Sequence, residues 1–441
     1  MDCDIGLWHR HLTSVRTPAP KTTVHRNSLP RSVVPGVSPL RRAEACVEAV
    51  FCHVPACGTY NQAMKLAVIG LGPAGLAIAH RASVRGWQVA GWDPQPPPTH
   101  VLSVFADELP HWAASLPEQS VSSPVVYTHD RQRICLNRDY LVLDNPRVWK
   151  ALTTFPVHRE AVDADSVTAE DLGADIVIDA RGTRDLFSSG TPVQVATDSY
   201  QRGQHETVFM DFRTDEPDHF LYTVPLANGD YLQQDTILAT RTPSKGRRGN
   251  NCSSSGNNDG ACSNGRTGTD VFIPLAPRAY TGPHVPYGSR AGFINPFTGY
   301  SIATSFRFAD PTLDALEARS HHQQRSETRI LDRFARLGKT TASSVRGDQE
   351  AVSPSPLFPW QTRRFRADEA LSQRCLTCLL ALPLETRRNV IESVFTLSPD
   401  LARNFLILGH PSATLKGMAR IWIGLRDSTD KAKLVRAFAT S

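Results

Sequence analysis

The sequence predicts an α/β fold in three parts: a parallel-sheet domain, an inserted antiparallel sheet and a helical C-terminal region. Three observations carry this. A short apolar run at 65–70 meets a glycine-spaced turn and then a helix pattern. Four strand-like runs, parted by turn residues, follow one another between 192 and 241. Beyond residue 311 the pattern is helical, broken at PSPLFPW and HPSATL. With 441 residues, 40% of them apolar, the chain can bury a sizeable core and holds two or three domains.

Residues 1–63 are rich in Pro, Ser, Thr and Arg and lack sustained periodicity. They read as a disordered extension or an over-long start ahead of Met64; a transit leader is the other reading. From Lys65 the pattern sharpens. KLAVIG is a short buried strand, GLGPAGLAIAHRASVRG turns into a helix, and WQVAGWD is a second strand ending at Asp93. Gly70, Gly72 and Gly75 stand at the G-x-G-x-x-G spacing, with Pro73 and Ala74 inside it. The first glycine allows the tight turn, the second lets backbone approach a pyrophosphate, and the third lets helix and strand pack closely. An acid about 20 residues on is placed to hold a ribose hydroxyl. Strand, glycines, helix, strand and acid in that order predict a Rossmann-like dinucleotide-binding domain over 64–190.

Within that domain VYTHDRQRICL reads as a hairpin, NPRVWKALTTF as a helix and ADIVIDARG (174–182) as a further strand. The runs PVQVATDSY, TVFMDFR, HFLYTVPL and YLQQDTILAT then predict an antiparallel unit over 191–284. Its last run sets Gln233, Gln234, Asp235 and Thr236 in a row, poor material for a core and suited to a pocket or a surface. Residues 244–268 are low in complexity and almost without apolar side chains, so a mobile loop is expected. Segment 285–310 returns to the nucleotide domain, and 311–441 is helical.

The net charge of +5 is spread along the chain, which argues against a dedicated nucleic-acid binder. No apolar run is long enough to span a bilayer, so any membrane contact is expected from the side. The nine cysteines form no framework. Cys375 and Cys378, a lone CxxC in CLTCLLAL, read as two small helix residues packed inward, and no metal site is expected.

Four stretches resemble lycopene cyclases of the bacterial type. SVFADELPHW (103–112) looks like the family's Trp/Ala-Asp-Glu motif, and TVFMDFR with FLYTVPL is similar to its paired sheet strands. LQQDTILATR (232–241) resembles its Phe-Leu-Glu-Glu-Thr motif. VPYGSRAGFINPFTGYSIATSFR (285–307) is close to its Pro-x-Gly…His-Pro-x-Thr-Gly-Tyr-Ser segment. The resemblance implies an FAD-binding domain of the flavin hydroxylase type, with the antiparallel sheet as substrate domain. It implies reduced FAD, NAD(P)H as electron donor, and lycopene or another linear carotenoid as substrate. A cytoplasmic location with peripheral membrane contact follows, the apolar run CLLALPL (378–384) being the candidate contact.

The family's chemistry protonates a terminal alkene, closes a β-ionone ring on the resulting cation and removes a proton, without net redox change. Reduced anionic FAD is suited to stabilise the cation. Carried over, the cofactor residues are Gly70, Gly72, Pro73, Ala74, Gly75 and Asp93, joined by Gly292, Thr298 and Gly299. Thr298-Gly299-Tyr300 is expected to open a helix onto the cofactor, with His284 and Tyr287 packing or forming its wall. Asn295 stands where the family commonly has His. The catalytic candidates are Asp107, Glu108, Gln234 and Asp235.

One departure bears on the chemistry. The family's first motif glutamate falls at Gln234 and its second acid at Asp235. An amide offers hydrogen bonds but does not titrate here. Either Asp235 has taken over, or Asp107 or Glu108 carries the step, or cyclisation has been lost. Two rival readings stay open: a redox flavoenzyme of the hydroxylase class acting on an apolar substrate, and a carotenoid- or flavin-binding remnant.

Overall fold

Strand β1 (Lys65–Ile69) sits at the centre of a parallel sheet because four of its five residues are apolar and fully covered. It pairs in parallel with β2 (Gln88–Trp92) on one side and β9 (Ile176–Asp179) on the other. The edges are β8 (Val157–His158) and β15 (Val285–Pro286), so segment 285–310 does rejoin the first sheet. Helix α1 (Pro73–Val84) follows the glycine turn, with Pro73 in its first turn, where a missing N–H costs nothing. The structure is a computed structural model describing residues 63–242, 266–337 and 357–440. The expected disorder of 1–63 and the bulk of the 244–268 tract lie outside the described residues.

The second sheet has seven strands in the order β14-β10-β13-β12-β11-β5-β6. These are β5 (Val125–Tyr127), β6 (Arg133–Cys135), β10 (Val193–Arg202), β11 (Val208–Asp211), β12 (His219–Pro225), β13 (Asp230–Thr240) and β14 (Arg266–Pro274). The 125–135 hairpin has joined this sheet rather than the nucleotide domain, through a parallel pairing of β5 with β11. β14 begins at Arg266, so the last three residues of the tract expected as a loop are strand. A small third sheet, β3 (Ser103–Phe105), β4 (Glu118–Ser122) and β7 (Tyr140–Leu143), is antiparallel. The DELPHWAA stretch forms two 3-10 turns, 106–108 and 111–113, separated by Pro110. Helix α2 (Asn145–Leu152) forms where expected, capped by the Asp144 carboxylate accepting from the Arg147 N–H.

Helix α3 (Ile302–Leu337) runs through the boundary expected at 310/311. Asp310 holds it to α1 through Arg81 Nε and Arg85 Nη2, both 3.0 Å away. Two apolar cores result. One, with Leu66, Leu76, Ile178, Phe306 and Leu313, fills the space between the parallel sheet, α1 and α3. The other joins the inner face of the antiparallel sheet (Phe209, Phe220, Leu232, Leu238) to helices α4 (Arg363–Ala381), α5 (Leu384–Val394), α6 (Pro399–Leu406) and α7 (Pro411–Gly424). Helix α8 (Ser428–Thr440) completes that layer. Cys378 and Leu379 belong to the second core, and burial pushes the thiols of Cys375 and Cys378 up to about 12 and about 11. Both are free thiols, packed as the helix pattern predicts.

Candidate active site

At the glycine turn each position has a separate reason. Gly70 has φ +89°, a left-handed conformation, and a Cβ there would stand 2.7 Å from the Arg181 backbone nitrogen. A Cβ on Gly75 would stand 1.9 Å from the Gly70 carbonyl oxygen, so only glycine lets α1 approach β1 this closely. Nothing lies within 4 Å of a Cβ on Gly72. That open space faces the start of α1, which no side chain caps. Asp93 sits beside the same turn: its Oδ2 accepts from the Leu71 N–H at 2.7 Å and its Oδ1 from the Gln95 N–H at 2.9 Å. A carboxylate has about four acceptor sites, so two remain for hydroxyls. Ala74 faces the chain instead, since a Cβ on Gly288 would come within 2.5 Å of its methyl. A cradle open at Gly72, an uncapped helix start and a carboxylate at the rim fit a dinucleotide pyrophosphate and ribose.

The 285–300 segment is built around Asn295. Its Oδ1 accepts from the N–H groups of Phe297 (2.8 Å) and Thr298 (3.2 Å), its carbonyl from Gly299 N–H, and its Nδ2 donates to the Leu406 carbonyl. The Tyr300 N–H goes to Thr298 Oγ1. The amides of residues 297–300 are therefore turned inward, and α3 starts only at Ile302; the expected helix opening at Thr298-Gly299-Tyr300 is a closed turn. Gly299 (φ +74°) is required because a Cβ would meet Gln194 of β10, and Gly292 (φ +80°) because a Cβ would meet Glu369 of α4. Tyr287 is fully buried and donates to the Ser305 carbonyl, a packing role. His284 keeps a buried Nε2 without a partner. What the turn delivers is Tyr300.

Tyr300, Tyr140 and Tyr222 form a hydroxyl chain with O···O distances of 2.8 and 3.2 Å, extended by Tyr222 donating to Ser103 Oγ at 2.9 Å. Phe105, Phe209 and Phe395 pack around it. Burial raises the Tyr140 and Tyr300 phenols well above their usual value and pushes Tyr222 up to about 12. They stay neutral at working pH. Tyr300 nevertheless leaves 36% of its surface accessible, so its ring borders an open space while its hydroxyl is enclosed.

The four catalytic candidates separate. Glu108 is buried, 9% exposed, and burial raises its carboxyl against the pull of Arg138, which donates to it at 2.8 Å. The Asp107 charge adds to the rise, the half-buried Arg307 opposes it, and Glu108 acts electrostatically on Tyr300. Asp107 points outward and is held by Arg138 at 2.6 and 3.1 Å, with Arg403 at 3.7 Å. Asp235 also points outward: its side chain is 53% exposed and pairs with His219 Nδ1 at 2.9 Å. Gln234, one residue earlier, takes the inner face with Leu232, Thr236 and Leu238, because strand side chains alternate. Its Nε2 donates at 2.6 Å to Asp198 Oδ1 on β10, and the two residues face each other in register. Asp198 is 2% exposed.

Asp198 is the residue the motif reading passed over, with Arg138, Tyr140 and Tyr222. Its signal was present. In VQVATDSY the inward positions run Gln194, Ala196, Asp198, Tyr200, and an acid in that register is a buried acid.

The family model for lycopene cyclase protein matches residues 65–412, most of the chain and all of this geometry. The chain belongs to the lycopene cyclase family. Among curated relatives it is 25% identical to lycopene beta cyclase, chloroplastic, of Arabidopsis thaliana, over 78% of this chain and 75% of that one. It is 26% identical to an uncharacterized carotenoid cyclase of Deinococcus radiodurans, over 54% of this chain and 66% of that one. Among solved structures, a geranylgeranyl bacteriochlorophyll reductase-like protein from Thermoplasma acidophilum superposes with a TM-score of 0.50 at 15% identity, covering 82% of this chain and 98% of that one, a likeness of fold. The fold of this family member is thus a Rossmann-like nucleotide domain of the flavin hydroxylase type, with an inserted antiparallel sheet and C-terminal helices.

Proposed function

We propose that this chain cyclises the end groups of lycopene, or of another linear carotenoid, to β-ionone rings by proton transfer. The observation that carries the reading is Glu108: a buried carboxyl with a raised pKa, whose charge reaches the partly exposed Tyr300 of the neutral tyrosine cluster. A terminal alkene is a weak base, so protonating it needs an acid held away from water. Burial keeps Glu108 in its protonated form to higher pH than an exposed glutamate, which supplies such an acid. Phenols held this high in pKa do not exchange protons in this step. Their ring faces and that of Phe209 suit a carbocation instead, whereas the Phe105 ring already carries the Arg138 guanidinium 3.9 Å from its centre.

Gly70, Gly72, Gly75 and Asp93 would hold FAD, with NAD(P)H as the electron donor that reduces it. Bound in its reduced, anionic form, the cofactor supplies negative charge for the cation. Gly292, Thr298 and Gly299 serve this arrangement indirectly, by setting the turn that carries Tyr300.

The substrate is a bilayer solute, and no helix among the described residues is long and apolar enough to cross a membrane. Peripheral contact is proposed at α7, where Leu415, Trp422 and Ile423 are exposed. Their i, i+7 spacing puts Leu415 and Trp422 on one line, flanked by Lys416, Arg420 and Arg426. CLLALPL is the weaker candidate, since Cys378, Leu379 and Leu382 are buried in the second core.

Product analysis in lycopene-accumulating cells tests the reading. β-ringed carotenes are expected. Hydroxylated, unringed products would replace it with the redox reading, and unchanged lycopene bound to purified protein with the remnant reading.

A further inference from the structure

Two acids stand side by side in the turn 106–108, and one guanidinium serves both. We infer that Asp107 is a positioning residue, which engages the Arg138 guanidinium so that Glu108 keeps the proton it delivers; the inference rests on the reading of Glu108 given above. Three observations carry it. Arg138, in the connection between β6 and β7, sets Nε and Nη2 against the two Asp107 oxygens at 3.1 and 2.6 Å, the paired geometry in which arginine holds a carboxylate most firmly. Glu108 receives one bond only, 2.8 Å long, from the same Nη2 that already serves Asp107. Arg138 is fixed between them, with a side chain 11% exposed and its guanidinium over the Phe105 ring. Asp107 is 39% exposed and draws on a second cation, Arg403 of α6.

The two acids then divide the work. A glutamate alone beside a charged guanidinium would be held ionised. Burial is the main reason that Glu108 keeps its proton, and the Arg138 bond and charge oppose it. Asp107 restores part of the rise, while Arg307, reaching in from α3, works against it. The remaining group facing Glu108, the Tyr300 phenol, stays neutral. Asp107 therefore acts twice, as a negative charge beside Glu108 and as the stronger claimant on Arg138. A protonated Glu108 still accepts the Arg138 bond on Oε1 and carries its proton on the other oxygen. Asp107 itself need not touch the substrate.

The test follows the protonation of Glu108 directly. Infrared difference spectra of flavin-loaded protein over a pH series give its carboxyl band, assigned as the one missing from Glu108→Gln. Asp107→Asn frees the guanidinium for Glu108 and should move the midpoint of that band down by about 1 pH unit or more. Arg138→Gln keeps donors but removes the charge, and should move it up. Asp107→Glu keeps the charge and should leave the midpoint near the wild-type one. A midpoint that Asp107→Asn leaves in place or raises overturns the inference, as does a downward shift in Arg138→Gln. Ring formation is measured on the same samples. In Asp107→Asn it should fall about ten-fold at neutral pH, following the lost protonated fraction, and recover as pH is lowered. A loss that is equal at every pH is what a merely structural role gives, and overturns it too. Midpoints that move as expected in a wild type and variants that form no rings would remove the cyclase reading and leave the role of Asp107 standing.

Discussion

Gln234 and Asp235 are neighbours in one strand with opposite fates, because successive side chains leave a strand on opposite faces. The amide goes inward to Asp198 and the acid outward to His219. Asp235→Asn should therefore keep ring formation and flavin content, and cost only the surface pair. The Asp235 bond is the main cause of the raised His219 pKa, with burial opposing it. That contribution is fully present below about pH 6.5, the ordinary histidine value, and is lost as pH rises through the raised one. Denaturant midpoints should show a loss of about 0.2–1 kcal/mol at acidic pH and none at alkaline pH; an equal loss at both would rule out the pair as its source. Glu108 makes the opposite case. Glu108→Gln should lower ring formation by about 10²–10⁴-fold with flavin retained. Wild-type rates should hold at low pH and fall as pH rises through the raised Glu108 value, since only the protonated form donates. A pH-independent rate would show that another group gives the proton.

At the scale of elements, the glycine turn and the Asn295 turn fix how the two halves present their groups. Gly72 and Gly75 are three residues apart and should fail differently. Gly72→Val enters open space, so the protein should fold with near-normal stability and purify without flavin. Full flavin occupancy in that variant would remove the fingerprint assignment. Gly75→Ala drives a methyl into the Gly70 carbonyl and should cost about 1–3 kcal/mol or more, visible as a lowered melting temperature whether or not flavin is bound. The glycine turn was legible because much of its constraint is local: the left-handed turn at Gly70 and the approach of Gly75 to the Gly70 carbonyl, five residues back. The Asn295 turn was not. The motif placed Thr298 and Gly299 on the cofactor, yet their amides close on Asn295, whose own Nδ2 reaches Leu406, 111 residues away.

At the scale of the molecule, the C-terminal helices cover the antiparallel sheet with one side and leave α7 partly bare. Trp422→Asp with Ile423→Asp should weaken sedimentation with anionic vesicles, while stability stays within about 0.5 kcal/mol because both side chains are already exposed. Unchanged sedimentation would move the membrane contact elsewhere. The same helices show why CLLALPL is the weaker candidate: an apolar run looks alike whether it meets lipid or a sheet, and here Cys378, Leu379 and Leu382 pack into the core against the sheet.

What the sequence determined by itself was whatever short-range periodicity and spacing encode. The parallel strands, α1, the four antiparallel runs, the helical tail and the motif order that marks the family all depend on neighbours within a turn or a strand. What only the tertiary structure decided was which acid is buried. Only Asp198 carries a burial signal, in its strand alternation; Glu108, Asp107 and Asp235 look equivalent in the chain. Arg138, His219 and Gln234 come to them from 16 to 36 residues away, through strand register and sheet packing. Burial and a chosen partner make a carboxyl reactive, and both belong to the assembled sheet rather than to any stretch of sequence.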